Sequence, residues 1–161
     1  MSAPPAPLRY VPWAGVAASG LTAGALDLLF AFLFYGYQGA GPGIILRSIA
    51  SGVLGSGAFG AGAWVLPLGA ALHFLIAVCA AFAFYLGSRF LPVLVRRPAV
   101  CGAVFGVAMY VFMHSVVLPL SRVHRVMPTS DVIGELFSHI FLFGIVIALG
   151  VALSVAAAER R

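Results

Sequence analysis

The chain has 161 residues, enough for one domain, and 63% of them are apolar while only 8% are charged. A water-soluble fold of this size cannot bury so much apolar surface, so the composition excludes a soluble globular protein. The net charge of +5 comes from scattered arginines that form no basic stripe, which argues against nucleic acid as a partner.

Four apolar stretches are each long enough to cross a bilayer as an α-helix, which takes roughly 20 residues. They are Val11–Tyr35, Leu66–Gly87, Ala99–Leu118 and Asp131–Ala157. A transmembrane β-barrel would show alternating segments of roughly ten residues instead. We therefore predict an all-α integral membrane four-helix bundle that forms a single transmembrane domain over residues 1–161.

The first span carries a small-residue face with one carboxylate. Gly20, Gly24, Asp27 and Ala31 follow one another at spacings of three and four residues, which places them on one side of a helix. Small residues let a neighbouring helix come close, so Asp27 is predicted to point into the bundle. The Gly20 and Gly24 pair could serve a contact between two copies as readily as an internal one.

A short helix is predicted between the first two spans, at Ile44–Leu54, after the glycine-rich break at Gly39–Gly43. Arg47 lies on its polar side and aliphatic residues lie on the other. This pattern favours an interfacial or re-entrant helix.

The other spans carry the histidines. His73 lies in the second span, Tyr110 and His114 lie in the third, and Glu135 and His139 lie in the fourth. Counted at about 1.5 Å per residue from the predicted helix ends, the ionisable residues all fall in one half of the membrane. Because such residues are costly in lipid, we expect them to converge on one outward-facing polar cavity. The predicted polar cluster or relay consists of Asp27, Arg47, His73, Tyr110, His114, Glu135 and His139.

Several interpretations of this cluster are open. Its groups could simply hydrogen-bond across helices and fix the packing, or histidine and carboxylate could relay protons or line a path for a small solute. His73 and His139 could ligate haem iron, and His73, His114 and His139 could hold a divalent metal, although no local ligand motif supports either cofactor. Neither cofactor is therefore predicted.

Enzymatic activity is not expected. The sequence has no nucleophile or phosphate-loop motif and no soluble region that could hold a catalytic domain. An intramembrane hydrolase that uses Asp27 or Glu135 is the enzyme class that the residues leave open.

The arginines predict an orientation. With four spans, Arg9, Arg89, Arg96, Arg97, Arg160 and Arg161 fall on one side, and Arg47, Arg122 and Arg125 fall on the other. An excess of basic residues marks the cytoplasmic side, so both termini are predicted to be cytoplasmic. The predicted partners are membrane lipids, with a homo-oligomer or a larger membrane complex also plausible.

Four segments carry a family resemblance. Gly20-Leu-Thr-Ala-Gly-Ala-Leu-Asp27, Arg47-Ser-Ile-Ala-Ser-Gly-Val-Leu-Gly55, His73-Phe-Leu-Ile-Ala77 and Tyr110-Val-Phe-Met-His114 resemble segments of small bacterial inner-membrane proteins of the YagU-like, uncharacterised type. The resemblance spans Gly20 to Pro119 and implies a bacterial inner-membrane location, without an active site to transfer. From the sequence we therefore expect a small accessory or structural membrane component, with a proton-linked or small-solute transporter as the alternative.

Overall fold

The computed structural model describes residues 12–120 and 129–160, and all the regular structure in these ranges is helical. The helices are α1 (Trp13–Tyr37), α2 (Pro42–Leu54), α3 (Gly57–Gly60), α4 (Val65–Phe90), α5 (Val93–Arg96), α6 (Pro98–Leu120) and α7 (Thr129–Glu159). Helices α1, α4, α6 and α7 are long and apolar enough to cross a membrane. The predicted all-α membrane bundle, with a shorter helix between the first two spans, is confirmed.

The helix boundaries lie within a few residues of the predicted ones. Helix α2 begins at Pro42, two residues before the predicted start, because proline suits the first turn of a helix and Gly41 before it is extended. Helix α7 extends from Thr129 to Glu159, two residues beyond the prediction at each end. Val11, the predicted first residue of span one, lies outside the described residues.

Neighbouring spans run antiparallel, and glycine permits the closest approaches. A methyl group on Gly20 would lie 2.8 Å from the Cα of Val78, and one on Gly24 would lie 2.9 Å from the Cβ of Ala77. Helix α1 therefore packs on α4 through the face predicted from spacing, and the Gly20 and Gly24 pair serves a contact within the chain. On the other side of the bundle, Gly102 of α6 faces Gly144 of α7 in the same way.

Small side chains fill the interior and large ones cover the outside. Ala23, Ala77, Ala81 and Ala148 are fully buried, whereas 84% of Phe90 is exposed. In water this distribution would be unfavourable, because large apolar side chains would stay exposed to solvent. In lipid, by contrast, helices associate by close packing of small residues. The bundle is thus built for an apolar surrounding.

We call the end of the bundle where α1 begins and α7 ends the terminal end, and the opposite end the distal end. Helix α2 lies at the distal end, because it follows α1 and packs on the start of α4, where a methyl group on Gly69 would overlap the backbone of Leu46. Ala50 of α2, Ala58 of α3 and Val65 of α4 form a small buried cluster there.

Two spans widen into π-helical turns. These turns occur at Met113–Val117 within α6 and at Ser138–Gly144 within α7. Such turns are rare and often occur at functional sites. Both segments contain a histidine of the predicted cluster, so the irregular backbone coincides with the polar residues.

Candidate functional site

The ionisable residues of the spans form two adjacent groups in the distal half of the bundle. The Glu135 cluster consists of Tyr35, Tyr110, His114, Glu135 and His139, and the Asp27 cluster consists of Asp27, His73 and Ser138. Helices α1 and α7 contribute to both groups, α4 contributes to the Asp27 cluster and α6 to the Glu135 cluster. Together the two groups join all four spans.

Glu135 is the centre of its cluster. The Tyr35 hydroxyl of α1 donates to Oε1 of Glu135 at 2.5 Å. On the other side, Nε2 of His114 on α6 lies 3.2 Å from Oε2 of the same carboxylate. One carboxyl group on α7 therefore connects two other spans.

The contact between His114 and Glu135 requires a proton. Nδ1 of His114 lies 2.9 Å from the carbonyl oxygen of Tyr110, and because a carbonyl can only accept, Nδ1 carries the hydrogen. A neutral His114 would then direct the lone pair of Nε2 at a carboxylate oxygen, which is repulsive. The contact is attractive only with one more proton, held as an imidazolium facing a carboxylate or as a carboxylic acid facing an imidazole.

Aromatic rings surround this proton-binding pair. The Tyr110 ring lies 4.1 Å from the His114 ring between centroids, and 5.8 Å from the His139 ring, which meets it edge-on. Nδ1 of His139 lies 2.8 Å from the Glu135 carbonyl oxygen, so it also carries a hydrogen. Tyr110 thus orients both histidines without donating to either ring.

The Asp27 cluster connects α1, α4 and α7. The Ser138 hydroxyl of α7 donates to Oδ1 of Asp27, and Nε2 of His73 lies 3.9 Å from Oδ2 of Asp27. The same His73 nitrogen lies 2.9 Å from the carbonyl oxygen of Gly24 and donates to it. Asp27 therefore accepts a hydrogen bond from the fourth span and lies beside the histidine of the second.

These groups are only partly shielded. The side chains of Asp27 and His73 are each 16% exposed, and those of His114 and Glu135 are 22% and 25% exposed. Part of each side chain therefore lies at the surface of the bundle. Whether they line the predicted outward-facing cavity stays a prediction.

Arg47 lies apart from both clusters. Its Nη1 donates to the carbonyl oxygens of Ala58 and Ala61, each at 2.7 Å. Ala58 lies within the short helix α3 and Ala61 directly follows it, so a cation here satisfies carbonyl oxygens at a helix C-terminus that have no partner within the helix. The structure thus separates Arg47 from the six other predicted site residues and gives it a role in fixing the segment between α2 and α4.

Two residues were not predicted as site residues. From the sequence, Tyr35 was named only as the last residue of the first predicted span, and Ser138 was not singled out. Ser138 lies seven residues after Asp131, a spacing that places both on one helix face. Asp131 itself is 1% exposed and receives a contact from the Ser130 hydroxyl at 3.4 Å. Helical spacing from the acids of α7 could have identified Ser138, whereas nothing local indicated Tyr35.

The histidines were also considered as ligands for haem or a divalent metal. Within residues 12–120 and 129–160, no group of three or more His, Cys, Asp or Glu side chains is arranged to hold a metal ion. Nε2 of His73 donates to Gly24, and Nδ1 of His139 lies against the Glu135 carbonyl oxygen. Haem and metal binding stay open alternatives that we do not predict.

The terminal end has a different character. A groove of about 330 Å³ lies there between the segment after α4 and the last turns of α7. It is lined by Pro92, Val95, Arg96, Ala152, Val155, Ala156 and Glu159. This groove and the two polar clusters occupy opposite ends of the bundle.

Comparison of the chain with family models, curated proteins and solved structures found no match in any of the three. A function for this chain is therefore inferred from its own residues and their geometry.

Proposed function

We propose that this membrane protein is a small multi-pass accessory or structural component without enzymatic activity, whose distal half is held together by the Glu135 cluster and the Asp27 cluster. The observation that carries this proposal is the position of α7. Its Glu135 and Ser138 bond to α1, and Glu135 also contacts α6, while Asp27 extends the connection to α4. Polar contacts thus join α7 to α1 and α6, and α1 to α4.

The half of the bundle next to the terminal end favours this proposal over transport. Beyond His139, α7 has no further histidine or carboxylate until Glu159 at its end, and the core between them is formed by buried residues such as Val16, Ile147 and Val151. The described hydroxyls in this half bond within their own helices, as Ser19 does to Val16 and Ser154 does to Gly150. Within the described residues, the histidines and carboxylates of α7 therefore do not continue through this half of the bundle.

A proton-linked transporter is the second candidate, and one observation favours it. Nε2 of His114 and Oε2 of Glu135 lie 3.2 Å apart at a partly exposed site, where an imidazole and a carboxyl group can share a proton. Such a pair could bind a proton and pass it to a chain of water molecules that crosses the rest of the bundle. For either candidate we also propose a bacterial inner-membrane location, on the basis of the resemblance to YagU-like proteins, and cytoplasmic termini, on the basis of the arginine distribution.

Proton flux and stability together separate the two candidates. The protein is reconstituted in vesicles with an internal pH-sensitive dye, and a potassium gradient with valinomycin supplies the driving force. Glu135→Gln removes the central carboxylate, whereas Glu159→Gln removes the same charge at the terminal end and is the matched control. We expect no protein-dependent flux for any form, and a loss of stability for Glu135→Gln alone. Flux that requires Glu135 would overturn the structural proposal in favour of transport.

A further inference from the structure

The groove at the terminal end combines two opposite charges with an apolar wall. Arg96 lies at the end of α5 and Glu159 at the end of α7, and both side chains are exposed. Between them the wall is aliphatic, formed by residues such as Val95 and Val155. The groove is therefore zwitterionic at its charged edge and apolar inside.

Neither charge is satisfied within the described part of the chain. The side chains of Arg96 and Glu159 have no hydrogen-bond or ion-pair partner there, although both line one groove. By contrast, Nε of the neighbouring Arg160 donates to the Ala156 carbonyl oxygen at 3.2 Å. The two charges that line the groove are thus available to a ligand that carries both a cation and an anion.

The groove lies at the level of lipid headgroups. Helix α7 has 31 residues, which corresponds to a length of about 46 Å and exceeds the hydrocarbon thickness of about 30 Å. Its last turn therefore reaches the polar layer of the membrane, where phosphate and amine groups are concentrated. A volume of about 330 Å³ is at the lower end of the range of ligand sites and suits a headgroup with the first carbons of its acyl chains.

We propose that this groove binds the headgroup of an aminophospholipid, with the phosphate at Arg96, the primary ammonium at Glu159 and the start of an acyl chain along Val95 and Val155. A guanidinium binds phosphate oxygens in a fork, and a carboxylate accepts hydrogen bonds from an ammonium group. This proposal is independent of the distal clusters.

The lining also indicates which headgroups are disfavoured. A choline headgroup has no N–H donor, and quaternary ammonium groups are bound by aromatic rings, of which the lining residues have none. A purely anionic headgroup would gain from Arg96 but would meet Glu159 with like charge. The groove therefore selects a phosphate ester of ethanolamine over the choline and glycerol headgroups.

The test is competitive lipid retention measured by native mass spectrometry. Detergent-solubilised full-length protein is incubated with equal amounts of phosphatidylethanolamine and phosphatidylcholine that have the same acyl chains, and then with phosphatidylethanolamine and phosphatidylglycerol. We expect phosphatidylethanolamine adducts to exceed the others by about three- to tenfold, since a charge-assisted hydrogen bond at an exposed site adds a modest free energy. Equal retention, or a preference for phosphatidylglycerol, would overturn the proposal.

Substitutions test which residues bind the lipid headgroup. Glu159→Gln should bring the ratio of ethanolamine to choline adducts close to one, and Arg96→Gln should reduce both adducts, because both lipids carry the phosphate. Arg97→Gln removes a neighbouring charge that does not line the groove and should leave retention and selectivity unchanged. A preference that survives Glu159→Gln would contradict the assignment.

Two further measurements complete the test. Soluble phosphoethanolamine should displace bound lipid only at a far higher concentration than a lysolipid with the same headgroup, because it lacks the chain that lies along Val95 and Val155. Displacement at equal concentration would show that the ligand is the soluble amine phosphate. Glu135→Gln should retain the lipid preference, so failure of the distal network and failure of this site are distinguishable.

Discussion

Replacement of Gly106 by alanine tests whether the close approach of α6 to α7 forms the Glu135 cluster. An alanine Cβ at this position would overlap the carbonyl oxygen of His139 and would lie 2.7 Å from its carbonyl carbon and 2.8 Å from the Cα of Ile140. Carbon atoms in van der Waals contact are about 3.5–4.0 Å apart, so the two helices must separate by roughly 1 Å.

The expected loss of stability follows from which atoms overlap. They belong to the backbone of α7, so no side-chain rotation can relieve the overlap, and the cost should lie near the upper end of the range for overpacking, about 3 kcal/mol. A separation of roughly 1 Å would also stretch the contact between His114 and Glu135 from 3.2 Å beyond the reach of an ion pair. The variant should therefore lose both stability and the geometry of the site.

The assay is unfolding in mixed micelles by increasing fractions of sodium dodecyl sulfate, followed by far-ultraviolet circular dichroism. Gly36→Ala in α1 is the matched control, since a methyl group there meets no atom within 4 Å and alanine favours helix over glycine. We expect Gly106→Ala to unfold at a lower detergent fraction than the wild type, and Gly36→Ala at the same or a higher one. Equal midpoints for the two variants would refute the proposed close packing.

The same assay checks three further predictions. Tyr35→Phe removes the hydroxyl that donates to Glu135 and should lower the free energy of unfolding by about 1–2 kcal/mol. This value lies between the average contribution of a hydrogen bond between membrane helices and that of a hydrogen bond to a charged group. Ser138→Ala removes the donor to Asp27 and should cost a similar amount. Arg47→Met keeps the length of the side chain but removes two charge-assisted bonds to α3 carbonyls, which should cost about 1.5–3 kcal/mol and leave proton flux unchanged.

Each of these variants has a control within the chain. Tyr37→Phe lies two residues from Tyr35, but its side chain is 96% exposed and it should leave stability unchanged. Ser154→Ala removes a hydroxyl from the same helix as Ser138 but loses only a bond to the Gly150 carbonyl of that helix. Arg89→Met removes a guanidinium whose Nη1 lies 3.4 Å from the Tyr85 hydroxyl, a weak contact. If Ser138→Ala and Ser154→Ala cost the same, the interhelical bond to Asp27 contributes nothing measurable.

A double-mutant cycle tests the connection between α1 and α7. If the Tyr35 hydroxyl stabilises the protein through Glu135, Tyr35→Phe should have little effect once Glu135→Ala, which removes the acceptor, is present. Additive effects of the two substitutions would contradict the direct bond. This measurement separates the bond from any general effect of the two side chains on packing.

The fold was predictable from the sequence because lipid imposes simple constraints. Long apolar runs have to satisfy their backbone groups internally, so the four spans of the bundle could be identified from length and composition alone. The small-residue face of α1 was also predictable, since Gly20, Gly24 and Asp27 recur at helical spacing and α1 packs on α4 through these glycines. Asp27, His114 and Glu135 were likewise identified as candidate site residues, because ionisable side chains are rare in apolar helices.

The pairing of these residues was decided by the tertiary structure. Arg47 was grouped with the cluster because it lay near the same membrane surface, yet its guanidinium reaches the α3 carbonyls, which only the fold of the segment after α2 places within range. Tyr35 could not be identified beforehand, because its partner Glu135 lies 100 positions away and the hydroxyl reaches it only through the packing of α1 on α7. Spacing along one helix fixes which face a residue occupies, but the contact between two helices depends on their rotation and separation, which here are set by glycine contacts far apart in the chain.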